Sequence, residues 1–80
     1  MLSKLKDGPK VVGLKQSRRA ISDGTAALVF LAEDADPHIT DPIRELCRQH
    51  TVPVTDVGTM KDLGSACGIS VGAAVAVLLN

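Results

Sequence analysis

The sequence predicts an α/β fold in which helices cover both faces of a β-sheet, and three observations carry that reading. Short apolar runs of strand length alternate with segments of helical spacing in the order strand, helix, strand, helix, strand, helix, strand, the pattern of a three-layer α-β-α sandwich. One run, Ala26 to Ala32, contains no polar residue, as a strand covered on both faces requires. Glycine, proline or aspartate stands at most junctions between segments, where the chain has to turn.

Taken in order, Ser3 to Lys6 could begin a helical turn, but Asp7, Gly8 and Pro9 cut it short. Val11 and Val12 read as a short strand ending at Gly13. From Leu14 to Ser22, Leu14, Arg18 and Ile21, with Ala20 beside them, give a helix an apolar edge and a basic face. Asp23 and Gly24 stop it, since glycine most readily takes the left-handed terminal conformation. Ala26 to Ala32 is the central strand. Glu33 to Pro37 reads as a turn, and Thr40 or Asp41 before Pro42 supplies a cap with proline at the first helical position, so the next helix is expected to start there. Ile43, Leu46, Cys47 and His50 fall on one face of it; Arg44, Glu45, Arg48 and Gln49 fall on the other.

Val52 to Val57 contains Pro53 and is expected to be a short strand entering at an edge. Thr59 followed by Asp62 resembles a capping box opening a helix, with Met60, Leu63, Ala66 and Cys67 along its inner side. Gly68 ends that helix, Ile69 to Gly72 form a loop, and Ala73 to Leu79 reads as a last buried strand. There is no internal repeat or low-complexity linker, and residues 1–80 are read as one domain.

With 80 residues, a single compact domain buries about 60–65% of the surface its unfolded chain exposes. A composition of 45% apolar and 22% charged residues is that of a globular protein. The longest purely apolar runs, Ala26 to Ala32 and Ala73 to Leu79, are far short of the roughly 20 residues of a membrane span, and no signal-peptide pattern opens the sequence. No membrane partner and a cytoplasmic location are therefore expected. Cys47 and Cys67, with His38 and His50, lack the spacing of a zinc site, so the thiols are read as buried, reduced and metal-free.

The formal net charge is zero, yet the charges are sorted along the chain. Residues 1–19 carry Lys4, Lys6, Lys10, Lys15, Arg18 and Arg19 against Asp7 alone, a balance of +5, and the remainder carries −5. Such sorting makes a local patch attractive to phosphates while the acidic remainder opposes indiscriminate binding.

Several chemistries are absent from the sequence. Neither common glycine-rich phosphate loop occurs, no serine sits in a Gly-x-Ser-x-Gly elbow, and nothing marks a histidine as base to either cysteine. Glu33, Asp34 and Asp36 could form an acid/base pair, although capping a loop is the commoner role for such residues. The expectation is a binding protein, not an enzyme, with no cofactor.

Two segments remain as candidates for binding. In Gly13-Leu14-Lys15-Gln16-Ser17-Arg18-Arg19 a glycine precedes a helix rich in donors and free of acids. Its unpaired N–H groups and dipole favour an anion by roughly 0.3–1 kcal/mol, and Lys15, Gln16 and Arg19 lie where side chains can reach base edges. The second is Gly64 to Gly72, with glycine at every fourth position. Close helix packing explains Gly64 and Gly68, while Ile69 and Val71 are either core residues or exposed apolar fingers able to meet an unstacked base. Phe30, the only aromatic, sits mid-strand, which argues against a stacking platform of the RNA-recognition-motif or OB type.

Taken together, Gly13-x-Lys15-Gln16-x-x-Arg19, Leu31 to Pro37, and Lys61-x-Leu63-Gly64-x-Ala66-Cys67-Gly68-Ile69-x-Val71 resemble the kink-turn-binding ribosomal protein family of the L-seven-Ae type and its small stand-alone bacterial members, over about residues 10–79. The resemblance implies a mixed four-stranded sheet and a target RNA sharply bent at tandem sheared G·A pairs. It implies that RNA is bound where the Gly13 helix start meets the Gly68 to Gly72 loop, with Lys15, Gln16 and Arg19 addressing guanines and adjoining backbone; Lys10 or Arg18 on phosphates would then add salt-dependent affinity. It also implies that Ile69, Ser70 and Val71 pack around a base flipped out at the bend. Lys15-Gln16 departs from the Asn-Glu pair of archaeal members. A ribosomal or other structured RNA bound by a monomer is the expectation; the alternative is a protein-interaction adaptor of the same fold, contacting its partner through Pro37 to Gln49.

Overall fold

A computed structural model describes Leu5 and residues 7–80. The turn read at Ser3 to Lys6 lies outside the described residues except for Leu5, which is helical and fully buried. The described elements run β1 (Lys10–Val12), α1 (Leu14–Ser22), β2 (Ala26–Ala32), α2 (Pro37–His50), β3 (Val54–Val57), α3 (Met60–Ala66) and β4 (Val75–Leu79). They follow the order the periodicity predicts. No helix among the described residues is long and apolar enough to cross a membrane.

The four strands form one mixed sheet in the order β1-β4-β2-β3. β4 runs antiparallel to both β1 and β2, and β2 runs parallel to β3. Side chains alternate across the pleat and build two cores. Phe30, Ala32, Val57 and Ala76 meet Leu63 of α3 and Cys67 at its C-terminal cap, together with Leu5, on one face. Val29, Leu31, Val75 and Val77 meet Ala20 and Ile21 from α1 and Ile43 and Cys47 from α2 on the other. This is the α/β sandwich, with α3 on one side and α1 and α2 on the opposite side. Cys47 and Cys67 are both buried and free, in separate cores on opposite faces of the sheet.

One helix begins earlier than the sequence reading places it. α2 starts at Pro37 with Asp36 as its cap, whose carboxylate accepts from the His38 amide at 2.9 Å, and Pro42 lies inside the helix. Aspartate followed by proline at the first helical position occurs twice here, and the earlier pair nucleates because Ile39, Thr40 and Ile43 then turn toward the core. Pro42 and His38 are both exposed, so the carbonyl freed by the missing proline N–H lies on the solvent side. His50, read as inward, is exposed beside Thr51, whose φ of 54° closes the helix in the left-handed conformation.

The strand directions decide what meets where. β1, β2 and β3 all run toward one end of the sheet, so α1, α2 and α3 begin at that end. The loop from Gly68 to Ala74 enters β4 there too. In open α/β sheets this end, at the carboxyl termini of the parallel strands, is where ligands are bound.

Candidate nucleic-acid interface

Gly13 caps α1 at φ 108°, a conformation that strains any side-chain-bearing residue, while a Cβ there would meet nothing within 4 Å. Glycine is therefore required at this point for its torsion, not for space. Its amide donates to the Val75 carbonyl at 3.0 Å, fixing the start of α1 against the start of β4. Among the described residues no side chain caps α1, and no acidic residue occupies its first turn. α2 and α3, by contrast, are closed by Asp36 and Thr59, the latter accepting from the Asp62 amide at 3.0 Å.

The loop before β4 is set by the end of α3. Gly68, at φ 80°, donates to the Ser65 carbonyl at 3.0 Å and Ile69 donates to that of Gly64 at 3.1 Å, the paired bonds of a Schellman motif. Gly64 is buried and packed on the Val71 carbonyl, and Gly72 lies against Met60. The Ala73 amide donates to the Met60 carbonyl at 3.0 Å, and the Met60 amide donates to the Asp34 carboxylate at 2.7 Å. The start of α3 thereby joins the β2–α2 turn and the loop into one surface. Asp34 and Asp36 thus act as caps, the commoner of the two roles the sequence allows them.

With its backbone held in this way, the loop projects Val71 at 68% exposure and Ile69 at 37%, with Ser70 exposed between them. Neither Ile69 nor Val71 is a core residue. Lys15, Gln16, Arg18 and Arg19 are all exposed on α1 and Lys10 is half-buried on β1. They are not one cluster. Lys10, Gln16 and Arg19 line a depression between β1 and α1 whose floor includes Val11 and Leu79. Arg18 turns toward α2 and shares a groove with Leu14, His38, Ile39, Pro42 and Leu46. Lys15 shares a further shallow hollow with Arg18, Arg19 and Ser22.

Two apolar residues at this end were read as inward and are not. Leu14 and Met60 are each 37% exposed, next to Lys15 and Gly72 respectively. Both stand at the first position of a helix, on the rim of the buried stripe; on α1 that stripe is Ser17, Ala20 and Ile21. A helical wheel centred on Ala20 and Ile21 would have placed Leu14 on the rim.

The family model described as "Ribosomal protein L7Ae/L30e/S12e/Gadd45 family" matches residues 2–80. The chain belongs to this family. It is 49% identical over 76 residues to an RNA-binding protein of Geobacillus sp. (strain WCH70), covering 95% of this chain and 93% of the relative. It is 45% identical over 76 residues to RNA-binding protein YbxF of Geobacillus stearothermophilus, with the same coverage. Among solved structures it is similar to the Giardia lamblia 15.5kD RNA binding protein, with TM-score 0.92 and 31% identity over 99% of this chain and 70% of that one. A Bacillus halodurans C protein of unknown function gives TM-score 0.89 at 28% identity, over 99% of this chain and 83% of that one.

Proposed function

We propose that this L7Ae-family member is an RNA-binding protein that recognises and stabilises kink-turns, and that it acts by binding without catalysis. The observation that carries the reading is the shared end of the sheet, where an acid-free helix start bearing Lys15 and Gln16 lies at the same end as a glycine-bordered loop presenting Ile69 and Val71. The RNA-binding names of relatives at 45–49% identity support the same reading.

In a sharply bent RNA the groove at tandem sheared G·A pairs opens, and guanine edges hidden in a regular A-form duplex become accessible. Lys15 donates to guanine acceptors, contributing about 1–3 kcal/mol of discrimination by analogy with base-edge contacts in DNA. Gln16 and Arg19 add donors on the same helix start, and the N–H groups of its first turn face the backbone. Ile69 and Val71 cover the base displaced at the bend, with Ser70 between them. Lys10 and Arg18 meet phosphates, giving affinity that falls with salt.

The test is a mobility shift on a kink-turn RNA beside the same RNA with its G·A pairs replaced by Watson–Crick pairs. Preference for the first of more than tenfold is expected, and equal binding to both defeats the proposal. A second reading, a protein-interaction adaptor using Pro37 to Gln49, is favoured by the groove that Ile39, Pro42 and Leu46 form with Leu14. Indifference to both RNAs would favour it.

A further inference from the structure

Two consecutive arginines on α1 are treated differently by their surroundings. Arg18 has no carboxylate partner among the described residues, whereas the Nε of Arg19 lies 3.6 Å from Oδ2 of Asp23, one helical turn on. The pair is open to solvent, with the two side chains 85% and 58% exposed. Asp23 borders the same depression as Lys10, Gln16 and Arg19, so a carboxylate stands in the part of the surface where cations gather.

Nothing in the helix end calls for that carboxylate. α1 is closed without it: the amides of Asp23, Gly24 and Thr25 donate to the carbonyls of Arg19, Ile21 and Ala20 at 2.8, 3.2 and 3.0 Å, and the Thr25 hydroxyl donates to the Ala20 carbonyl at 3.2 Å. A negative charge at a helix C-terminus also opposes the helix dipole. Among the described residues, the side chain that Asp23 pairs with is that of Arg19.

We propose that Asp23 is a positioning residue that holds Arg19 away from RNA and must be displaced when RNA binds, so that the chain keeps its affinity below what its cations alone would give. The inference rests on the RNA-binding reading above. An exposed pair of this kind shifts an equilibrium by roughly two- to fivefold, weak enough for a phosphate to displace and large enough to measure. A phosphate can take the guanidinium in two parallel hydrogen bonds, which makes the exchange favourable, while the liberated carboxylate subtracts from the gain.

The experiment measures dissociation constants for a kink-turn RNA at one fixed salt concentration, using the wild-type chain, Asp23→Asn, Arg19→Ala and the double variant. Asp23→Asn keeps the side-chain shape and the backbone cap, and is expected to tighten binding roughly two- to fivefold with no fall in the unfolding midpoint. In the Arg19→Ala background the same change is expected to have little effect, because its target is gone. Asp23→Ser, which removes the charge with a different side chain, should reproduce the tightening. Unchanged or weaker binding by both Asp23 variants overturns the inference, as does equal tightening with and without Arg19. Failure of the wild-type chain to bind the RNA overturns the RNA-binding reading and this inference with it; normal wild-type binding with an inert Asp23 overturns this inference alone.

Discussion

The Val71 carbonyl occupies the space that a side chain on Gly64 would need: a Cβ built there would penetrate the carbonyl oxygen and lie 3.0 Å from its carbon and 3.1 Å from the Gly72 Cα. Both obstacles are backbone, so the loop has to move to admit even one methyl group. Gly64→Ala is therefore expected to destabilise the fold by about 1–3 kcal/mol despite the better helix propensity of alanine. It is also expected to weaken RNA binding more than its effect on stability explains, because Ile69 and Val71 ride on the displaced segment. Urea unfolding beside Gly58→Ala, where a Cβ meets nothing within 4 Å, checks the first effect. A Gly64→Ala chain as stable as the Gly58→Ala control would contradict it.

Ser17 is fully buried on α1 and its Oγ has no hydrogen-bond partner among the described residues. Such an orphan hydroxyl costs about 1–3 kcal/mol of lost hydration, with nothing recovered from the protein. Ser17→Ala removes the cost and improves helix propensity, so stabilisation of about 1 kcal/mol is expected. For a domain of this size that raises the unfolding midpoint by roughly 4–8 °C. A lowered midpoint would show that the hydroxyl is satisfied in solution.

Burial pushes the thiols of both Cys47 and Cys67 up, outweighing the opposing charge of Arg44 in the first case and of Lys10 in the second. The folded state then favours the protonated thiol, while the unfolded chain releases its protons at about pH 8.5. Above that pH the unfolded state binds fewer protons than the folded one, so stability falls as pH rises. Below it the contribution is fully present. The double variant Cys47→Ala, Cys67→Ala should show a shallower decline in denaturation midpoint between about pH 8 and 10. Identical pH profiles would contradict the account.

How much of this was legible in the sequence differs by element. α1 and β2 match their sequence bounds because local signals agree: a glycine on each side of the helix, then an unbroken apolar strand. The start of α2 was misplaced because Asp36-Pro37 and Asp41-Pro42 carry the same local chemistry, and only packing of Ile39 and Thr40 chooses between them. Leu5 belongs to the core although Gly8-Pro9 makes residues 1–9 read as an interrupted end. At the candidate interface the residue types could be named from sequence, but not their distribution. Arg18 and Arg19 share a hollow with Lys15 but also border two separate grooves, and the exposure of Ile69 and Val71 depends on a loop pinned by Gly64, Met60 and Asp34.

The central claim is that Lys15 reads the bend itself and not merely the negative charge of the RNA. Titrating wild-type and Lys15→Ala chains against the kink-turn RNA and a straight duplex of equal length, at several salt concentrations, tests it most directly. The account predicts that Lys15→Ala costs about 1–3 kcal/mol on the bent RNA and far less on the duplex, narrowing the preference between them. Arg18→Ala should instead weaken both together and flatten the salt dependence by about one phosphate contact. Equal losses on both RNAs for Lys15→Ala, with the preference intact, would contradict it.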